Sequence, residues 1–177
     1  CAAGHPVLAI PLAMLSAAAA GFVTALLQTK LGVPSILAGI ITNTGLYTVN
    51  LMAMGWTSNA SLIKQRTIFH MFGDLGIGGS WSEIILAGVI TVASALLLVA
   101  FLGTRLGLSI RATGDNRDMV RASSINPTFT ITVGLCVANA LTGLSGALVG
   151  QAQRNANVNI GTGMVVIGLA CLIIGET

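Results

Sequence analysis

Charge is what this sequence has least of. Of its 177 residues only 7% are Asp, Glu, Lys or Arg, against 54% that are hydrophobic. That is about a quarter of the charge of an ordinary soluble domain, which excludes a water-facing globule and leaves a membrane protein. The net charge is only +3, with no dense basic patch. Binding to nucleic acid, which needs clustered phosphate contacts, is therefore excluded as well. Cysteine is limited to three residues, too few for a disulfide framework, and Cys136 and Cys171 sit inside apolar runs without metal-ligand spacing. Histidine occurs only as His5 and His70. No G-x-x-x-x-G-K-[ST] run exists, so any use of ATP must reside in another chain and no cofactor of this chain's own is expected. Glycine is plentiful, with 22 residues, but its lack of a three-residue period excludes a collagen-like chain and suits membrane helices.

What is present is a set of long uncharged intervals: 2–29, 31–63, 84–104, 122–153 and 155–175. A charge at the bilayer centre is costly and about 20 apolar residues are needed to cross, so each interval is read as a span. Trimming the polar ends predicts helices over 7–27, 35–55, 84–104, 127–150 and 161–176. The fold class is all-α, a polytopic transmembrane helical bundle of about five spans in one domain over 1–177, because open strands in lipid would leave backbone donors unpaired. The ends of the chain read as edges of a longer ordered region, with more helices expected on each side. Local punctuation agrees with the spans. Asn126-Pro127 is an N-cap followed by proline at the first helical position, and Ser80 with Glu83 forms a capping box.

The connections set the orientation. Lys30 and the 105–126 connection lie on one side and carry five of the eight Lys and Arg residues, which predicts a cytoplasmic location for that side. The 56–83 loop and the 151–159 segment lie on the other. Trp56 and Trp81 bracket the outer loop at headgroup level, and residues 63–72 mix apolar and basic groups as a short interfacial helix would.

Two features of the spans carry packing or function. Gly134, Ala138, Thr142, Gly146 and Gly150 recur every fourth residue, a strip of small side chains that predicts close approach of a neighbouring helix. Asn43, Tyr47 and Asn50 fall at i, i+4 and i+7 and put three polar groups on one face of the second span. That face either bonds to neighbouring helices or lines a transport path. Gln151 and the asparagines up to Asn159 interrupt two apolar runs, either as an outer loop or as a broken helix at a water-filled vestibule. Glu176 is the carboxylate nearest a span interior.

Gly143-Leu144-Ser145-Gly146 resembles the nucleophile motif of rhomboid-type intramembrane proteases. That chemistry needs a histidine on a later helix to accept the serine proton, and neither His5 nor His70 follows Ser145. Ser145 is therefore read as a packing residue. The more informative segment runs from Arg111 to Ile125. Asp115 is expected to cap a short helix over 115–123 with Asp118 in its first turn, placing Arg117 and Arg121 on one face and Met119 and Ala122 elsewhere.

This segment resembles the cytoplasmic coupling loop of ABC-importer permeases in the branched-chain amino-acid and simple-sugar permease superfamily, whose pattern is Ala-x-Gly-x-Asn before a short helix ending in Gly-Ile. Ala112, Gly114, Asn116, Ala122 and Ile125 match, and Ser124 stands where the family has glycine. Residues 37–51, 146–151, 159–164, 168–170 and 174–176 are similar to one branch, the tryptophan and tyrosine uptake permeases. The resemblance implies a multi-pass permease subunit of the bacterial cytoplasmic (inner) membrane with no bond-breaking chemistry of its own. It implies import of a small solute, an aromatic amino acid favoured, by alternating access. The implied partners are ABC ATPase subunits, an extracytoplasmic solute-binding protein and a second permease subunit, either a copy or a paralogue. Coupling to the ATPase would rest on Arg111, Ala112, Gly114, Asp115, Asn116, Met119, Ala122 and Ile125, and the path on Asn43, Tyr47, Asn50, Gln151, Asn159 and Glu176. A channel or secondary transporter is the competing reading, with a rhomboid-like intramembrane serine protease built on Ser145 as a remote one.

Overall fold

The computed structural model describes residues 6–61, 80–161 and 164–175. In chain order these form α1 (Pro6–Lys30), α2 (Ser35–Ala53), strand β1 (Asn59–Ser61), α3 (Ser80–Leu102), α4 (Arg105–Asp115), α5 (Arg117–Ala122), α6 (Pro127–Ala152), strand β2 (Asn155–Asn157), a 3-10 turn (Val158–Gly161) and α7 (Met164–Gly175). Four of the helices, α1, α2, α3 and α6, are long and apolar enough to cross a membrane, as expected for a polytopic all-α protein. The start of the fifth predicted span is taken by a 3-10 turn over Val158–Gly161, and α7 is described as Met164–Gly175. The interfacial helix predicted within 63–72 lies outside the described residues, as do the side chains of Ser80, Trp81 and Glu83.

Helix ends follow local chemistry. The Asn126 side chain accepts from the Thr128 N–H at 3.0 Å, with Pro127 opening α6, as the sequence predicted. At the other end of α2 the Trp56 N–H donates to the Leu51 carbonyl at 2.9 Å and the Gly55 N–H to that of Met52 at 3.1 Å. This is a Schellman closure with Gly55 at φ +69°, a conformation that glycine adopts without cost.

The centre of the molecule is the antiparallel pair α1 and α6. Lipid tails are as apolar as leucine, so helices in a membrane gain by fitting backbones closely rather than by burying large side chains. The buried hydrophobic residues are accordingly small at the helix contacts, with Ala25 and Ala38 fully covered. A Cβ placed on Gly143 of α6 would lie 2.6 Å from both the carbonyl oxygen of Ala13 and the Cβ of Ala17. One placed on Gly21 of α1 would lie 2.8 Å from the Leu135 carbonyl oxygen and 2.9 Å from Asn139 Cβ. The Asn139 amide is satisfied within its own helix, donating to the Leu135 carbonyl at 2.9 Å.

The contact face of α6 thus runs through Leu135, Asn139 and Gly143, which corrects the predicted strip. Ala138, Thr142 and Gly146 are exposed, and a Cβ on Gly146 would meet nothing within 4 Å. The two ends of the strip meet neighbours: a Cβ built on Gly134 would lie 3.3 Å from the Ile110 side chain of α4, and one on Gly150 4.0 Å from the Asn155 carbonyl oxygen. The strip lies about one residue round the helix from the face that packs, because small size permits contact but does not choose which face receives it.

Two observations settle which connections share an end. β1 and β2 pair antiparallel with Asn59 opposite Asn157 and Ser61 opposite Asn155, joining the segments read as the outer side. At the opposite end Gln28 and Thr29 of α1 line one groove with Arg117, Asp118 and Arg121 of α5, so the Lys30 connection and the 105–126 connection lie together. The two-stranded ribbon was not foreseen, since its asparagine-rich strands have no hydrophobic alternation to mark them.

Gly143→Ala should destabilise the protein by about 1–3 kcal/mol through overpacking against α1, whereas Gly146→Ala should be neutral. Thermal unfolding of both variants in detergent checks this, and equal stabilities would place the helix contact elsewhere.

Candidate functional site

The end of the molecule that carries α4 and α5 is built as an elbow. α3 stops at Leu102, and the Thr104 side chain accepts from the Gly107 N–H at 3.3 Å to cap α4. Gly107 is buried where the chain folds back, and a side chain there would strike the backbone of Phe101 and Leu102, so the position takes glycine. The sequence reading treated 105–115 as connection. The overlooked signal is Thr104 followed by Gly107, Ile110 and Thr113, the inward face of a short amphipathic helix.

α4 is tied to α6 by a pair of hydroxyls. Thr113 Oγ1 and Thr130 Oγ1 are 2.9 Å apart, and the two residues are 4% and 2% exposed. Thr113 also bonds to the Ser109 carbonyl at 2.6 Å and Thr130 to that of Pro127 at 3.0 Å, so this polar spot is satisfied locally as burial requires. Neither residue was singled out from the sequence. The exposed Thr44, Thr91 and Thr142 bond to the carbonyl four residues back as Thr113 does, so no sequence signal separates the buried pair. A second hydroxyl contact joins α1 to α2, where Thr24 Oγ1 lies 3.0 Å from Thr42 Oγ1.

α5 follows as a separate short helix, and its cap corrects the sequence reading. Asp115 closes α4, while Asn116 caps α5: its Oδ1 accepts from the N–H groups of Asp118 at 3.0 Å and Met119 at 3.1 Å. The extended backbone of Asn116, at φ −152° and ψ 107°, breaks the helix one residue later than predicted. At its far end the Ile125 N–H donates to the Val120 carbonyl at 3.3 Å and the Ser124 N–H to that of Arg121 at 3.2 Å. This is again a Schellman closure, with Ser124 at φ +60° in the left-handed position that normally belongs to glycine. A non-glycine residue there costs about 1 kcal/mol or more. Val120 is buried and anchors the helix, while Met119 is 70% exposed on its outer side. Arg111, Ala112, Gly114, Asp115 and Ala122 are also exposed, and Ile125 is half-buried. The expected coupling residues therefore form one accessible elbow.

The polar residues of α2 are held differently. The packed face of α2 is Ala38 and Thr42, and Asn43, Tyr47 and Asn50 lie on its open side, all exposed. Among the described residues none of the three side chains bonds to another helix. Gln151 is buried, 3% exposed, at the ribbon end of α6. Asn159 is exposed in the 3-10 turn, where its N–H donates to Asn157 Oδ1 at 2.8 Å. Asn50, Gln151 and Asn159 approach the same end of the molecule, and Glu176 lies outside the described residues. Ser145 opens into a largely apolar groove of about 450 Å³ between α3 and α6. Among the described residues no histidine lines that groove.

Comparison with known proteins adds a family. The model of the branched-chain amino acid transport system permease component matches residues 2–177. A tyrosine transport system permease protein of Clostridioides difficile (strain R20291) is 36% identical over 172 residues, 97% of this chain and 55% of that protein. The uncharacterized protein RP368 of Rickettsia prowazekii (strain Madrid E) is 28% identical over 170 residues, 95% of this chain and 58% of that protein. The chain thus spans little more than half the length of these relatives. No solved structure gives a significant match.

Asn116→Ala should loosen α5 by about 1 kcal/mol, seen as roughly fivefold faster amide exchange at Asp118 and Met119. Asp115→Ala should leave those amides unchanged. A reversed ordering would return the cap to Asp115.

Proposed function

From its membership of the branched-chain amino acid transport system permease family, to which this chain belongs, we propose that it is a transmembrane subunit of an ATP-driven importer for an aromatic amino acid. The observation that carries this reading is the 36% identity, over nearly the whole chain, to a tyrosine transport system permease. A multi-pass permease has no bond-breaking step of its own. Its work is to expose a solute path to one side of the bacterial inner membrane and then to the other, driven by partners that bind the two states with different affinity.

In this proposal ATPase subunits dock on the α4–α5 elbow, with Met119 as the exposed apolar contact. Arg111, Ala112, Gly114, Asp115, Asn116, Ala122 and Ile125 shape the surface around it. ATP binds and is hydrolysed in those subunits. Movement of the elbow passes to α6 through the buried Thr113–Thr130 hydroxyl pair and from α6 to α1 through the glycine contacts. The segment pairing β1 with β2 lies at the opposite end, where a solute-binding protein would deliver its load. A second permease subunit, a copy of this chain or a paralogue, completes the path along the open face of α2. There Asn43, Tyr47 and Asn50 offer hydrogen bonds and a ring able to stack on an aromatic solute. Three polar groups left open on one face of a membrane helix favour a hydrated or protein-covered setting over lipid, which supports this assignment. Asn159 and Glu176 belong to the same proposed path, with Gln151 supporting its ribbon end.

The test is uptake of labelled tyrosine into proteoliposomes that carry the full-length permease, its ATPase and its binding protein. Uptake should require ATP and the binding protein together, whereas uptake driven by an ion gradient alone would identify a secondary transporter. Within the same assay Met119→Glu should abolish uptake while ATP hydrolysis continues. Tyr47→Ala should reduce uptake severely and Tyr47→Phe modestly, with the amount of protein in the membrane unchanged. Normal uptake by Tyr47→Ala would remove α2 from the path.

A further inference from the structure

We propose that the groove between α1, α5 and the start of α6 is a binding site for the phosphate headgroup of an anionic phospholipid. α5 has two outward-looking faces with different chemistry. Met119 points away from the bundle, whereas Arg117 and Arg121, one helical turn apart, line a groove of about 230 Å³ together with Gln28 and Thr29 of α1 and Thr128 of α6. The groove sits where α1 ends at Lys30 and α6 begins at Pro127, the level at which membrane-crossing helices meet the headgroups. A basic pocket between membrane helices at that level has the chemistry of an anionic lipid headgroup site.

The side chains present suit a phosphate diester. Both arginines are exposed, and no ion pair engages either among the described residues, so their planar donor forks remain available to phosphate oxygens. The Gln28 amide and the Thr128 hydroxyl add neutral donors, while the Thr29 hydroxyl is already committed to the Ala25 carbonyl at 2.7 Å. Asp118 also lines the groove and opposes an anion, leaving a net single positive charge and a clear sign for the test. Phosphatidylglycerol in the leaflet supplies the phosphate already at this depth, with acyl chains that can lie along the exposed apolar flanks of α1 and α6. A soluble phosphate has no such anchor. This site goes beyond the transport reading and depends only on the chain lying in a membrane.

The test is native mass spectrometry of the full-length permease in detergent, without ATPase, titrated with phosphatidylglycerol or phosphatidylcholine. Phosphatidylglycerol should be retained preferentially. The pair Arg117→Gln and Arg121→Gln should weaken it roughly thirtyfold, from the contribution of two surface cations. Arg117→Lys with Arg121→Lys should keep most of the affinity, Asp118→Asn should raise it, and Arg105→Gln, at the same end but outside the groove, should leave it unchanged. Equal retention of the two lipids, wild-type affinity in the glutamine pair, or a fall on Asp118→Asn would each overturn the proposal. Displacement of the lipid by millimolar inorganic phosphate would reassign the groove to a soluble anion. Loss of ATPase co-purification in the glutamine pair, with phosphatidylglycerol retention unchanged, would reassign the arginines to the partner protein.

Discussion

The near-contact of the α1 and α6 backbones is the constraint on which the rest of the molecule depends. In a lipid setting each helix satisfies its own backbone hydrogen bonds, so association has to come from close fit and a few polar contacts. Gly21 and Gly143 supply the fit, since a Cβ on either would come within 2.8 Å of a carbonyl oxygen of the other helix. Everything else hangs on this pair. α2 is held to α1 through Ala38 and the Thr24–Thr42 hydroxyls, and α4 to α6 through Thr113 and Thr130. α3 touches α6 only lightly and has no buried residue in its membrane-crossing window.

α1, α6 and the elbow of α4 and α5 form a body in which backbones and buried hydroxyls meet. The elbow is also the part whose local geometry is most tightly specified. Thr104 and Asn116 cap its two helices, Val120 is buried beneath the second, and the left-handed turn at Ser124 returns the chain to α6. The serine at this turn keeps the closure that glycine would make while carrying the strain of a side chain. The family pattern of glycine before isoleucine thus has a physical origin in the Schellman closure between Val120 and Ile125.

Fold class, the positions of the four long spans and the grouping of connections by side were legible in the sequence, because they rest on where charges are absent, and a charge is excluded from hydrocarbon whatever its neighbours are. The cap at Asn126 was legible for a similar reason, since a capping asparagine acts on a backbone group two residues away. Which threonines are buried, which face of α6 packs, and that Asn59–Ser61 pairs with Asn155–Asn157 depend on partners about 17 to 130 residues distant along the chain. The cap moved from Asp115 to Asn116 because α4 proved to be a helix that runs through Asp115, a continuation stabilised by its contact with α6. Local chemistry therefore determined the elements and their ends, and tertiary structure alone decided which of several equivalent small or hydroxylated residues meet, since burial belongs to the pair and not to either residue.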